Sequence, residues 1–258
     1  MSRMPLTYEC QGRRCGATLD NAPAKTGLLI VSGGNEIRAG AYNGQARLAA
    51  NLASAGFPVF RFDRRGIGDS EGENRGFRRS RKDIAAALLA FRAIAPHVER
   101  VVGFGNCDAA SALMLSSGDG LDALVLSNPW TIEEDEADAL PASAVRSRYV
   151  EKLKNPAEIG RLLRGGVDLG KLARGIAQAA RGKSATSSLA MEMRAGLSGF
   201  LGPVSILLAE RDRTAQVFAE RWDDADTRIN RCAGADHSYS SQGAQEWLHN
   251  QLLAALRG

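Results

Sequence analysis

Arg100-Val101-Val102-Gly103-Phe104-Gly105-Asn106-Cys107-Asp108-Ala109-Ala110-Ser111-Ala112-Leu113-Met114-Leu115 is the stretch on which the fold reading turns. Residues 100–104 form an apolar run of the length and composition of one buried strand. Gly105 to Asp108 make a sharp turn, and an apolar helix, 109–115, opens at once behind it. A strand that turns directly into a helix lifts the residue at the tip above the end of a sheet. Gly105 and Ala109 are small, as they must be where strand and helix pass closely, and Cys107 stands at the tip. A thiol there meets the positive end of the helix dipole, which favours thiolate. The backbone N–H of Asp108 points towards an attacked carbonyl and supplies half of an oxyanion hole. On the turn alone, a buried structural cysteine is an equally good reading.

Outward from this elbow, short apolar strands alternate with amphipathic helices, the pattern of a mostly parallel sheet covered on both faces. Residues 27–31 read as a buried strand ending in Ser32-Gly33-Gly34. A helix follows from about Tyr42, with Leu48, Leu52 and Ala55 facing inward and Gly56 stopping it. Strand 58–62 leads into Asp63-Arg64-Arg65-Gly66. Ile84, Leu88 and Phe91 form the core stripe of a second helix, and 121–126 is a further strand. The alternation then stops until strand 203–208, a helix near 215–222, a short strand near 227–232 and a closing helix 241–256.

The chain therefore divides into an α/β core, 1–129 and 199–258, and a helical lid insertion, 130–198. An insertion that long inside a compact domain is usually a lid or binding element. Between residues 141 and 196 it holds eleven Lys/Arg against four Asp/Glu, just after an acidic run at Glu133, Glu134, Asp135, Glu136 and Asp138. A solvated amphipathic lid accounts for this charge. Attraction of an anionic acyl substrate, or peripheral contact with an acidic membrane surface, are the sharper readings.

The composition excludes several classes. The chain has 258 residues, 44% hydrophobic and 24% charged, with a net charge of +4. Collagen-like, coiled-coil and disordered chains do not look like this. No apolar stretch approaches the roughly 20 residues that span a bilayer, and nothing at the N-terminus reads as a signal peptide. A cytoplasmic location is the expectation. No basic run interleaves with aromatics, so nucleic acid is not an expected partner. The four cysteines, Cys10, Cys15, Cys107 and Cys232, are scattered and suit neither a disulfide framework nor a metal site. Cys10 and Cys15 read as small residues of an N-terminal strand pair.

The only Gly-x-Ser-x-Gly, Gly68-Asp69-Ser70-Glu71-Gly72, is a decoy. Ser70 lies several residues past its strand among charged neighbours, with no apolar helix behind it, and reads as a turn residue. A cysteine nucleophile works with a histidine base oriented by a carboxylate. Of three histidines, His97 precedes a strand and His249 lies in the closing helix; both read as surface residues. His237 follows the last strand, and Asp212 follows the strand before it. Glu210 and Asp236 are spare carboxylates, with Asp212 ranked first by its loop position. The order Cys107, Asp212, His237 is nucleophile, acid, histidine, each just beyond a strand along the edge where such sheets bind ligands. The second oxyanion donor is expected from Ser32-Gly33-Gly34-Asn35-Glu36, at the amide of Gly34 or Asn35, where glycines let backbone N–H groups approach a substrate.

These residues resemble the α/β-hydrolase superfamily across nearly the whole chain: Gly33-Gly34, Phe62-Asp63-Arg64-Arg65-Gly66-Ile67-Gly68-Asp69-Ser70, the elbow, Asp212 and His237. More closely, the chain is similar to the first of two hydrolase types associated with exosortase A systems. That type carries the elbow Gly-x-Cys-Asp-Gly-Ala-Ser, seen here as Gly105 to Ser111. Asn128-Pro129-Trp130 and Ala209 to Gln216 also fit. The resemblance implies a bacterial α/β-hydrolase often encoded beside exopolysaccharide and protein-sorting genes. The chain departs from that pattern at Ala109, where glycine is usual, and at Asn35-Glu36, where Pro-Gln is usual.

The function expected is hydrolysis of small carboxylic esters or thioesters through a covalent acyl-enzyme on Cys107, with His237 as base and Asp212 as its orienter. Asp108 and Gly34 or Asn35 bind the oxyanion, without metal or organic cofactor. Acyl transfer on the same scaffold is the nearest rival, and a non-catalytic binding scaffold is the other class. A monomer or homodimer is expected.

Overall fold

The computed structural model describes residues 2–132 and 187–258. Most of the stretch read as a lid, with its charge pattern, falls on 133–186 and lies outside the described residues.

Eight strands form one sheet: β1 (Ser2–Cys10), β2 (Arg13–Asn21), β3 (Thr26–Val31), β4 (Val59–Phe62), β5 (Arg100–Asn106), β6 (Ala123–Ser127), β7 (Val204–Ala209) and β8 (Ile229–Cys232). Their spatial order is β1-β2-β4-β3-β5-β6-β7-β8. The N-terminal hairpin is antiparallel and adds antiparallel to β4, while every pair from β4 to β8 is parallel. Cys10 and Cys15 are buried in that hairpin.

Side-chain alternation explains why helices cover both faces. Leu28 and Ile30 of β3 face one core, with Val102 and Phe104 of β5, and are covered by Leu52 of α1 (Gly44–Ser54) and Leu252 of α6 (Gln242–Arg257). Leu29 and Val31 face the other, covered by Phe91 of α2 (Arg81–Ile94) and Leu113 of α3 (Asp108–Leu115). A strand apolar on both sides is stable only with both faces shielded from water. Two more helices complete the described set, α4 (Ser188–Ser198) and α5 (Arg213–Arg221). Leu189, Met193 and Leu197 of α4, at the end of the stretch read as a lid, join the second core.

Local differences from the sequence reading have local causes. Before α1, Ala41–Asn43 form a 3-10 turn in which Tyr42 and Asn43 take left-handed backbone angles, so the α-helix starts two residues late. Ala55 lies past its end and is exposed; Ala49, Leu52 and Ala53 are buried instead.

The connections place the site. From β3 the chain passes to β4 on one side, then crosses back to β5 on the other, and the two connections diverge at the carboxyl ends of β3 and β5. That divergence opens the crevice where parallel sheets bind ligands. The loop after β3 begins at Ser32, and the turn after β5 is Cys107.

Candidate functional site

Cys107 sits between β5 and α3 with φ 62° and ψ −128°, a left-handed backbone that a non-glycine residue adopts only under constraint. The constraint is visible in its hydrogen bonds. Its N–H donates to Ser127 O at 2.9 Å, and its carbonyl accepts from Ala110, Ser111 and Trp130 N–H at 3.1, 3.3 and 3.3 Å. Gly105 allows the tight passage: a Cβ there would lie 2.6 Å from the Ala109 carbonyl carbon. Cys107 remains partly exposed at the tip.

His237 lies in the loop between β8 and α6, and its Nδ1 is 2.9 Å from Asp212 Oδ2. Asp212 is buried, and its carboxylate also caps α5, accepting Thr214 and Ala215 N–H at 3.2 Å each. An aspartate at a helix N-cap is locally favoured, and here the cap also aims the oxygen that faces the histidine. Asp212 and then Cys107 raise His237 from 6.5 to about 10, against desolvation that lowers it. The structure thus brings Cys107, His237 and Asp212 together.

The spare carboxylates stand apart from this relay. Asp236 accepts Ser238 and Ser240 N–H at 3.1 and 2.9 Å and the Ser240 hydroxyl, contacts with Ser240 that hold it below the usual carboxylate range. Glu210 is exposed, its backbone carbonyl held by Gln216. His97 is exposed and bonds Ala22 O at 2.9 Å, while His249 is half-buried rather than a surface residue. Ser70 is buried: its hydroxyl accepts Gly16 N–H at 3.0 Å and donates to Asp63 O at 2.8 Å, clipping the loop after β4 to the hairpin.

The loop after β3 is a turn closed by Glu36 N–H on Gly33 O at 3.0 Å, with Gly34 at φ 52°. Gly34 N–H donates to Asp108 Oδ1 at 2.6 Å. Its carbonyl accepts from the buried Arg64, which also donates to Ser80 Oγ at 2.9 Å. Gly33 has no room for a side chain, since a Cβ would lie 2.6 Å from Asp108 Oδ1 and 2.9 Å from Asn106 O. The close approach that demands glycine at 33 is that of the elbow itself.

Three residues around the site stand in quoted sequence motifs but have roles there that the sequence does not assign. Asn106 and Asn128 both donate to the His237 carbonyl, at 3.2 and 3.5 Å, and Asn128 Nδ2 also donates to Asn106 Oδ1 at 3.0 Å. Arg64 is the third. Asn106 ends β5, Asn128 follows β6 and Arg64 follows β4, and at strand ends sequence gives no direction for a polar side chain. Among the described residues no group of three or more His, Cys, Asp and Glu is placed to hold a metal ion, and no helix is long and apolar enough to cross a membrane.

Over residues 22–178 the chain matches the family model Hydrolase_4, described as serine aminopeptidase, S33. No curated protein matches it. Among solved structures, it is similar to the esterase Pf2001 of Pyrococcus furiosus, 14% identical, over 99% of this chain and 92% of that one, with a TM-score of 0.63. It is also similar to the α/β hydrolase GrgF from Penicillium sp. sh18, 14% identical over 100% and 98% of the two chains, TM-score 0.67. Est1E from Butyrivibrio proteoclasticus, solved with ferulic acid bound, is 15% identical over 98% and 100%, TM-score 0.58. At such identities the likenesses speak for the fold, which is the α/β-hydrolase fold. The family model is named for serine, and here Cys107 occupies the elbow. With that model matched over more than half of its length, the chain belongs to the Hydrolase_4 family of α/β-hydrolases, described as serine aminopeptidase S33.

Proposed function

We propose that this chain hydrolyses carboxylic esters or thioesters, with Cys107 as nucleophile. The observation that carries the reading is the relay from a strained elbow cysteine to His237 and the buried Asp212. Strongly shifted ionisable groups concentrate at functional sites, and His237 is such a group. Raised to about 10, the ring holds its proton at neutral pH and stands as imidazolium beside the sulfur. The sulfur then attacks as thiolate, forming a C–S bond while the carbonyl electron pair moves onto oxygen. Backbone amides at the elbow and the loop after β3 hold that oxyanion. On collapse the bond to the leaving group breaks, and His237 gives up its proton to that group. Water next attacks the thioester while neutral His237 takes its proton, and thiolate is expelled with the pair restored. Asp212 keeps the ring in the tautomer and orientation both steps need.

This reading extends to the subtype. The elbow sequence Gly105 to Ser111 supports the cysteine-elbow type associated with exosortase A systems. The four cysteines are all free, which supports a reducing, cytoplasmic setting. The test is steady-state turnover of p-nitrophenyl acetate and butyrate by wild type and Cys107→Ala. Many turnovers per enzyme, lost in the variant, are expected. A single stoichiometric release would instead favour transfer to an unsupplied acceptor, and equal rates in the two proteins would remove Cys107 from the mechanism.

A further inference from the structure

We infer that Asp108 and Arg64 act as a two-sided clamp on Gly34 that presents the Asn35 amide as the second oxyanion donor. The inference rests on the acyl-enzyme reading above and selects between the two amides of the loop.

Both groups of Gly34 are taken. Its N–H is held by Asp108 Oδ1 at 2.6 Å, a short bond to a carboxylate and so of the stronger, charge-assisted kind. That amide is therefore not free to meet an oxyanion. The Gly34 carbonyl is held by the Arg64 guanidinium, itself fixed by Ser80. This carbonyl and the Asn35 N–H belong to the same peptide unit. A peptide is planar and trans, so fixing the carbonyl towards Arg64 fixes the N–H away from it. A guanidinium on the carbonyl also polarises the unit and strengthens its N–H as a donor. The Asn35 side chain is tied separately, its Oδ1 accepting Asn74 Nδ2 at 2.9 Å.

What remains unused is a pair of amides. Neither the Asn35 N–H nor the Asp108 N–H, first in α3, has a hydrogen bond among the described residues. Helix N-termini leave such donors free for an anion. Asp108 thus does two things with two atoms: its amide is an oxyanion donor, and its carboxylate positions the other donor. The packing is built for this, since Gly33 leaves space for that carboxylate and nothing more.

The test separates two reactions of the same sulfur. Alkylation by iodoacetamide needs the nucleophile but no oxyanion hole, whereas acylation by p-nitrophenyl butyrate needs both. Loss of one oxyanion donor costs about 10²–10³ in rate, so a loosened one in Asp108→Ala is expected to slow acylation by about 10–100-fold. Alkylation should stay close to wild type, which also shows that the variant is folded. Asp108→Asn keeps an acceptor oxygen and should regain most of the lost rate. In wild type, the Gly34 amide should exchange with solvent at least ~10-fold more slowly than the Asn35 amide by NMR, because only the former is bonded. Equal exchange at the two amides would overturn the clamp. Faster acylation in Asp108→Ala would mean that the carboxylate obstructs the Gly34 amide, and would overturn it too. A parallel loss of alkylation and acylation would make Asp108 a support of the nucleophile and not of the loop. A wild type that alkylates yet takes no acyl group would sink the hydrolase reading itself, and this inference with it.

Discussion

Replacing Asn128 offers the sharpest test of how the strand ends hold the site together. This residue is fully buried and has φ +44°, a backbone that asparagine adopts more readily than alanine. Its Oδ1 accepts Ala209 N–H from the end of β7 at 2.8 Å, and its Nδ2 donates to Asn106 and to the His237 carbonyl. In Asn128→Ala the buried Ala209 N–H loses its partner, at a cost of about 1–3 kcal/mol. Holding alanine in the left-handed region adds about 1 kcal/mol. A loss of roughly 2–4 kcal/mol is a large share of the 5–15 typical of a domain. Asn128→Gly loses the same bonds without the backbone cost, so it should be the milder change by about 1 kcal/mol. Asn128→Asp keeps the acceptor for Ala209 but sets a buried carboxylate against two acceptors, Asn106 Oδ1 and His237 O. The Asn106 amide can turn to meet it only by giving up its own bond to His237. This variant should therefore fall well below wild type at pH 7 and recover as the pH drops. Urea unfolding at constant m-value measures all three. An alanine variant within about 1 kcal/mol of wild type, or more stable than the glycine variant, would refute the network argument.

The remaining predictions address neighbouring parts of the same machinery. The His237 ring, raised from 6.5 to about 10 by Asp212 and Cys107, binds its proton more tightly folded than unfolded. Its contribution to stability is therefore complete below about 6.5 and lost as the pH rises through about 10. Asp212→Asn should move the NMR titration midpoint of the ring down by about one to three on the pH scale. It should also flatten the fall in urea stability between pH 7 and 10; an unmoved midpoint would rule out Asp212 as the cause. Ser70→Ala should cost about 1–3 kcal/mol, because Gly16 N–H and Asp63 O lose a buried partner, while the folded variant still acylates at Cys107. Loss of activity per folded molecule there would reinstate Ser70. Gly105→Ala places a Cβ 2.6 Å from the Ala109 carbonyl carbon. It should cost about 2 kcal/mol or more and slow iodoacetamide at Cys107, since only a shift of strand against helix makes room. Unchanged alkylation and melting would contradict the packing at the elbow.

Much of this molecule is written in local pattern. Residues 100–115 announce strand, turn and helix because apolar runs and small residues act over a few positions, and β5 and α3 follow that reading closely. Ile84, Leu88 and Phe91 lie at helical spacing and are buried in α2. Cys107, Asp212 and His237 each come just after a strand, and a parallel sheet gathers all such positions along one edge. Ser70 could be set aside because a motif without its strand-to-helix turn lacks the geometry that exposes a nucleophile. Tertiary structure decided the rest, through contacts between segments far apart in the chain. Nothing near Asp108 tells that its carboxylate would take the Gly34 amide, 74 positions away. Nor does Asn128 signal that it would tie β7 to the histidine loop, since its left-handed turn and its partners exist only once β5, β6 and β7 lie side by side. Apolar periodicity determines which faces are buried; where a polar side chain ends depends on which strand ends become neighbours, and only the folded sheet sets that.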